Sequence, residues 1–429
     1  MLKFAMPVCL GNIFQLFYSL ADTRIVGSTL GEVSLAAVGS TTSISTLLIG
    51  FLSGLTNGFA VLVAQQFGEK NENRIRKTVA GSLLLGFFTA VIITVVSVFF
   101  LDKILALLNV SENLYPQSKA YIRAILLGIT ATMFYNAFAG ILRAVGDTVA
   151  PLIFLIAACI LNIFLDLYFI LVLKTGTAGA AWATVISQGI SVILCFIYMW
   201  YRYPMFRIKK RDFFIKPKLL KNLYSSGLSM AMMMSLVFFG TLALQTAINT
   251  FGTNTIVAHT AARKLTEFFM LPFAVLGITM ATYSGQNKGA KKPERIKEGI
   301  KKALLITSAW SLFVIVMSYT IAPFLIYMVT GSRIPEVIAT AEKYLKINTV
   351  FYFVPGAISV LRNTMQGIGD RLTPVVSSGL ELIGKVAVVI FLVPYTKYFG
   401  IIISEPIVWV IMVIPLIIKI LKNPIFKKN

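Results

Sequence analysis

Apolar stretches of about 20 residues or more follow one another along the whole chain, separated by short segments with Gly, Pro and charged residues. Such a stretch is long enough to cross a hydrocarbon core of about 30 Å as a helix. The chain is 57% hydrophobic and only 13% charged, whereas about a quarter of the residues are charged in soluble domains. The sequence therefore predicts an all-α polytopic membrane protein without a soluble domain.

Hydropathy and the positions of Gly, Pro and charge divide the chain into about twelve transmembrane helices. The first begins near Met1 and lacks a cleavage site followed by a soluble domain, so we interpret it as a mature helix rather than a signal peptide. The predicted spans lie near residues 2–26, 35–65, 78–100, 117–142, 150–173, 178–201, 222–250, 256–285, 299–329, 337–365, 374–394 and 400–421.

Basic residues lie mainly in the even-numbered connections, and the connection at 202–221 alone holds eight of them. Because Lys and Arg near the ends of spans are retained in the cytoplasm, both termini are expected there, in agreement with Lys427 and Lys428 at the tail. The net charge of +22 is thus topogenic and does not indicate a nucleic-acid partner. We expect a multi-pass protein of the plasma (inner) membrane of a prokaryote.

Two loop motifs of the first half recur in the second half at nearly the same offset, each time at the same place in a half. They are Gln65-x2-Gly68 with Arg74, repeated as Gln286-x2-Gly289 with Arg295, and Gly146-Asp147 with Pro151, repeated as Gly369-Asp370 with Pro374. Since each half has an even number of helices, the repeat is parallel and the two six-helix lobes are related by a pseudo-two-fold axis. The predicted domains are 1–201, a basic cytoplasmic linker at 202–221, and 222–429.

A few polar side chains stand inside the predicted spans of the first half, where an ionisable group needs a cavity or a partner. They are Asp22, then Asn162 and Asp166 four residues apart on one helix face, and Thr184. Oxygen ligands of these kinds suit Na⁺, and two close carboxyl groups resist ionising together, so the set also suits H⁺. In the alternative, Asp22 pairs with Arg24 and Asn162 bridges helices, although Arg24 lies on a different face.

The segments 7–27, 142–147 and 180–188, together with Asn162 and Asp166, resemble the N-terminal lobe of multidrug and toxic compound extrusion (MATE) transporters. This resemblance implies a secondary active exporter that exchanges organic, often cationic or amphipathic, compounds against Na⁺ or H⁺ by alternating access. In the DinF-type branch, the matching residues form a cation site, which implies that role for Asp22, Asn162, Asp166 and Thr184. Pro7 matches a proline thought to let the first helix bend.

The second half departs from this pattern. NorM-type members are described with an acid in the seventh helix, whereas residues 222–252 contain none, and Lys385 and Val389 stand where the first half has Asn162 and Asp166. We therefore place coupling in the first half.

Other polar residues of the second half are four apart and are interpreted as internal ion pairs, Glu381 with Lys385 and Arg263 with Glu267, while His259 is given a structural role. The functions of Glu381, Lys385 and His259 stay open. Flexible or polar side chains are candidates for substrate contact. They are Gln15, Tyr18, Met233, Met234, Glu267 and Arg362.

The main alternative function is a flippase for lipid-linked oligosaccharides, which would need a strongly basic cavity. An enzyme would need a catalytic constellation, and with one histidine the sequence offers none. A pore is less consistent with the two-fold repeat. We expect no catalytic activity and no cofactor besides the coupling cation, and a chain that works as a monomer in the lipid bilayer.

Overall fold

The computed structural model describes residues 1–426, and all regular structure in that range is helical. Lys427 and Lys428, on which the expected position of the C-terminus partly depends, lie outside the described residues. The chain divides into two compact units, Met1–Ala231 and Met232–Asn429.

The first unit, which is described throughout, begins with two long helices and ends inside a ninth. Its helices are α1 (Leu2–Leu30), α2 (Glu32–Gly68), α3 (Glu72–Phe99), α4 (Leu101–Leu107), α5 (Tyr115–Leu127), α6 (Ile129–Ala144), α7 (Val149–Leu167), α8 (Gly176–Arg202) and the first part of α9 (Pro217–Ile248). A π-helical turn, Tyr168–Val172, continues α7.

The second unit repeats this order of long, short and broken helices. Its helices are the second part of α9, α10 (Thr253–Gly289), α11 (Pro293–Thr320), α12 (Ala322–Thr330), α13 (Pro335–Val350), α14 (Phe353–Gly367), α15 (Leu372–Ala387), α16 (Val393–Thr396) and α17 (Tyr398–Lys422). A π-helical turn, Val388–Leu392, continues α15.

Within the described residues, ten helices are long and apolar enough to span a membrane, and two bent pairs raise the number to twelve if each pair is one span. The prediction of about twelve spans is thus confirmed. The fourth and tenth spans are not continuous, however, because α5 and α6 meet at 44° and α13 and α14 at 53°. Gly128 lies at the first break, and Pro355, which cannot donate a backbone hydrogen bond, lies in the first turn after the second.

The repeat is also visible in the backbone. Positive φ angles, which favour Gly and are uncommon elsewhere, recur at matching turns of the two units. The pairs, which share nearly one offset along the chain, are Lys70 and Lys291, Asn109 and Gly331, Gly146 and Gly369, and Lys174 and Lys397. The same connections therefore follow the same helices in both halves.

Candidate functional site

Four helices of the first unit bring the polar intramembrane residues together. A buried apolar cluster of Val26, Ile170 and Ala180, with Tyr121 packed against it, joins α1, α5, α8 and the π-helical turn after α7. This packing sets the orientation of the helices and so positions the polar groups that they carry. Because the π-helical turn and α7 are continuous, the side chains of α7 are held in the same arrangement.

Thr184 on α8 is the centre of a hydrogen-bonding network. Its hydroxyl bonds to the Tyr18 hydroxyl of α1 at 3.0 Å. With its amide oriented so that both ends have partners, Asn162 donates to Asp166 Oδ2 at 2.9 Å and accepts from the Thr184 backbone N–H at 3.1 Å. Asn162 and Asp166 are 1% and 0% exposed. Three helices are thus linked through polar contacts inside an apolar bundle.

Asp22 completes the site from α1. Its carboxyl group lies close to that of Asp166, and both carboxyl groups lie near Tyr121 of α5. Two carboxylates that lie close together in a low-dielectric site repel each other when both are ionised. The pair therefore requires a proton or a bound cation.

Each of these carboxyl groups has one oxygen without a hydrogen-bonding partner. Asp22 Oδ1 and Asp166 Oδ1 are buried and accept no hydrogen bond from any residue that the structure describes. Buried polar atoms are normally paired, so two such oxygens in one site are an exception that calls for a ligand. Two carboxylates with neighbouring amide and hydroxyl oxygens are the ligand types that a hard monovalent cation takes, and they equally hold a proton.

Small residues allow α8 to approach closely enough for Thr184 to reach the site. Ala180, Ala181 and Ala183 are fully buried, as small residues at close helix contacts in membranes typically are. At the bend between α5 and α6, a Cβ on Gly128 would overlap the side chain of Val185, next to Thr184. The absence of a side chain at Gly128 therefore determines how near α8 lies.

The four residues proposed from the sequence as a cation site, Asp22, Asn162, Asp166 and Thr184, are thus brought together. Tyr18, expected to contact substrate, hydrogen-bonds to Thr184 in this group, and Tyr121 is a neighbour that the sequence analysis missed. Arg24 is exposed and makes no ion pair with Asp22 in the described part of the chain, whereas Asp22 contacts Asp166.

The remaining candidates lie elsewhere. Pro7 lies inside α1, one turn from its start. Of the residues suggested for substrate contact, Gln15, Met234 and Glu267 are exposed and Met233 is buried. Arg362 is partly buried, and its guanidinium donates to Ser378 Oγ at 3.1 Å.

The second unit contains a buried group of charges. The predicted pair of Glu381 and Lys385 is present, with Lys385 Nζ 2.8 Å from Glu381 Oε1. The predicted pair of Arg263 and Glu267 is wrong, because Arg263 reaches across to Glu405 on α17 at 2.6 Å while Glu267 is exposed. Glu405 was missed, although an acid between Ser404 and Pro406 in a predicted span is as unusual as the acids that were noted.

Comparisons with known proteins agree with this architecture. A family model described as MatE matches residues 7–168 and 229–392. The chain is 28% identical over 402 residues to the "Probable multidrug resistance protein YoeA" of Bacillus subtilis, which covers 92% of this chain and 86% of that relative. It is 31% identical over 193 residues to the "DNA damage-inducible protein F" of Escherichia coli, covering 44% of this chain and 41% of that protein.

Solved structures share the fold. One, described as the outward-facing conformation of a multidrug resistance MATE family transporter of the MOP superfamily, matches with a TM-score of 0.89 at 24% identity and covers 100% of this chain and 96% of that one. The likeness extends over both units and agrees with the count of up to twelve spans.

Proposed function

The chain belongs to the MatE family of multidrug and toxic compound extrusion proteins, and on that basis we propose that it exports amphipathic organic compounds, many of them cationic, in exchange for Na⁺ or H⁺. Relatives named multidrug resistance proteins support this class of substrate. The observation that carries the coupling role is the pair of buried carboxyl groups, Asp22 and Asp166, each with an oxygen that lacks a partner.

In the proposed mechanism, the protein alternates between states that open to opposite sides of the membrane. Asp22 and Asp166 hold the cation or proton, Asn162 and Thr184 orient the carboxyl groups, and Tyr18 transmits their state along α1. Pro7 permits α1 to bend as the site fills and empties. A cation that binds one state better than the other shifts the population between them by that difference in affinity.

We propose that substrate is bound by residues outside the cation site, among them Gln15, Met233, Met234, Glu267 and Arg362. The chain acts as a monomer in the plasma membrane of a prokaryote, with residues 1–201 and 222–429 as its lobes. The basic linker at 202–221 and both termini are cytoplasmic, which is supported by the distribution of Lys and Arg. Each positive charge that moves inward then contributes about 2.3 kcal/mol per 100 mV.

Transport by proteoliposomes tests the proposal. Efflux of ethidium is measured under a Na⁺ gradient and, separately, under a pH gradient, for the wild type, Asp22→Asn and Asp166→Asn. We expect one gradient to drive efflux and both variants to lose it while keeping their fold. Asp102→Asn is the matched control, because that aspartate is exposed on the short helix α4 and pairs with Lys119.

Full transport by both variants would overturn the assignment of the cation site. If well-folded wild-type protein responds to neither gradient, the exporter proposal itself fails, and movement of a lipid-linked oligosaccharide becomes the activity to measure.

A further inference from the structure

Four charged side chains form one group in the second unit, which we call the charge cluster: the buried Glu381 and Lys385 on α15 and Glu405 on α17, and the partly exposed Arg263 on α10. Glu405 lies 2.6 Å from Arg263 and 4.0 Å from Lys385, which in turn is 2.8 Å from Glu381. Lys385, Glu405 and Glu381 are only 3%, 5% and 6% exposed. Within these four side chains, two acids and two bases balance without any bound ion.

The charge cluster occupies the place in the second unit that the candidate cation site occupies in the first. Helices α7 and α15 follow corresponding turns. When the two helices are aligned at their first residues, Lys385 of α15 is the counterpart of Asn162 of α7. The helices before the two breaks, α5 and α13, align in the same way at their last residues, which makes Tyr344 the counterpart of Tyr121. Tyr344 donates to Glu405 Oε2 at 3.4 Å, just as Tyr121 faces the acids of the first unit.

The candidate cation site and the charge cluster differ in the source of the positive charge that balances their carboxylates. Both acids of the first unit leave a carboxylate oxygen without a partner, whereas each acid of the charge cluster has a Lys or Arg nitrogen on its Oε1. The backbone also makes room for the lysine, because a Cβ on Gly240 of α9 would come within 3.1 Å of Lys385 Cδ. Helix α9 itself contributes no acid.

We propose that Lys385, with Arg263, is a tethered counter-ion that takes the place of a soluble cation in the second unit. A free cation there would face two fixed positive charges in a medium of low dielectric constant, which excludes it. Lys385 thereby restricts coupling to a single site, that of the first unit, and so limits how many cations are exchanged in a cycle. This inference rests on the cation site proposed for the first unit.

Replacing Lys385 by asparagine, the residue type of its counterpart Asn162, should turn the charge cluster into a cation site. In Lys385→Asn, Glu381 loses the ammonium group on its Oε1, while Arg263 stays paired with Glu405. A cavity lined by Gln245, His259, Arg263, Tyr344 and Glu405, among others, lies beside the cluster. The other nearby cation, Arg362, bonds to Ser378 and makes no ion pair within 4.0 Å in the described residues.

The test uses the full chain with Asp22→Asn and Asp166→Asn, so that the first site does not contribute. The unfolding midpoint is measured in choline chloride and in NaCl of equal ionic strength. Adding Lys385→Asn should produce a Na⁺-dependent rise in the midpoint of roughly 1–2 °C, the size expected for a chain of 429 residues when Na⁺ is present at about ten times the dissociation constant of one site. Lys385→Arg keeps the tethered charge and should give no rise.

A folded Lys385→Asn protein whose midpoint does not depend on Na⁺ would overturn the inference, and so would a rise of equal size with Lys385→Arg. A second measurement does not require the lysine variant to fold. The protein with only Asp22→Asn and Asp166→Asn should show no Na⁺-dependent rise, and a rise would place a soluble cation outside the first site. Loss of coupling in the first unit, the test of the proposed function, is scored separately by efflux.

Discussion

Thr184 decides how the side chains around the carboxyl pair are held. Its hydroxyl bonds to Tyr18 and its backbone N–H to Asn162, while Asn162 in turn donates to Asp166. The carboxyl pair is therefore oriented by neutral groups on three helices, and removing one hydroxyl should weaken cation binding without adding or removing charge.

Thr184→Val keeps the shape of the side chain and removes that hydroxyl. We expect the Na⁺ or H⁺ concentration for half-maximal efflux to rise by about fivefold, since the lost hydrogen bond joins two neutral hydroxyl groups and is worth about 1 kcal/mol. Efflux from proteoliposomes over a range of Na⁺ or H⁺ concentrations measures this half-maximal concentration. Ser187→Ala is the control on the same helix, because that hydroxyl bonds only within α8. An unchanged half-maximal concentration in Thr184→Val would exclude a role for the hydroxyl.

Single residues were predictable from the sequence where polarity contradicts the surroundings. Asp22, Asn162, Asp166 and Thr184 stand out in apolar segments, and the structure brings them together. Tyr121 does not stand out, because tyrosine is common in membrane helices, and only the packing of α5 against α1 and α8 gives it a role.

At the scale of helices, the close contact between the bend at Gly128 and α8 sets the geometry of the first unit. Gly128→Ala places a methyl group against Val185, and we expect it to lower the free energy of unfolding by about 1–3 kcal/mol, as overpacking does. It should also weaken coupling, because Thr184 moves with Val185. Unfolding in detergent and efflux measure the two effects.

The matching double variant separates overpacking from other causes. Val185→Ala should restore part of the stability lost in Gly128→Ala, because it vacates the space that the new methyl group needs. Gly189→Ala on α8, which has open space at its Cβ, should lose nothing. Equal losses in the Gly128 and Gly189 variants would indicate that helix backbone effects, and not the contact, are responsible.

The ion pair of Arg263 and Glu405 connects α10 with α17. Arg263→Met should lower the free energy of unfolding by about 3–5 kcal/mol, because it leaves a buried carboxylate whose remaining cation, Lys385, is shared with Glu381. The double variant Arg263→Met with Glu405→Leu should recover most of this loss, since neither partner is then unpaired. Thermal unfolding of the wild type, Arg263→Met and the double variant measures these changes in stability. A double variant no more stable than Arg263→Met would contradict the expectation.

Helices were predictable to the extent that apolar length determines them. The number of spans follows from hydropathy, whereas the bends of the fourth and tenth spans do not, because Gly128 and Pro355 lie inside the predicted spans and a glycine or proline within a span does not by itself determine a bend. The partner of Arg263 was missed for a related reason. Spacing of four residues identifies neighbours on one helix, but a pair between helices 142 residues apart depends on tertiary packing.

For the whole molecule, the repeat relates the loops of the two halves and so makes their sidedness testable. The turns around Lys70 and Lys291 correspond, and so do those around Asn109 and Gly331. In a parallel repeat, corresponding loops lie on the same side of the membrane, whichever side that is. The direction of cation entry in the proposed mechanism depends on this sidedness.

The side of the membrane on which a loop lies can be measured with single introduced cysteines, once the three native cysteines are removed. Cys9 and Cys159 are partly exposed and can be replaced by serine, while Cys195 is buried in an apolar cluster and is better replaced by alanine. Efflux by this background protein, compared with the wild type, confirms that the replacements are tolerated.

A membrane-impermeant maleimide should then label Glu112→Cys and Arg333→Cys in intact cells, and Asn73→Cys and Lys292→Cys only after permeabilisation. All four positions are exposed in or directly beside turns between helices, so access depends on the side of the membrane and not on burial. The reason for this pattern is that the turns at 69–77 and 288–302 are rich in Lys and Arg, which are retained inside. The reverse labelling pattern would mean that the chain has the opposite orientation in the membrane. The cation would then enter from the cytoplasm, which contradicts export driven by an inward gradient. Labelling that differs between the two turns of a pair would instead contradict the parallel repeat.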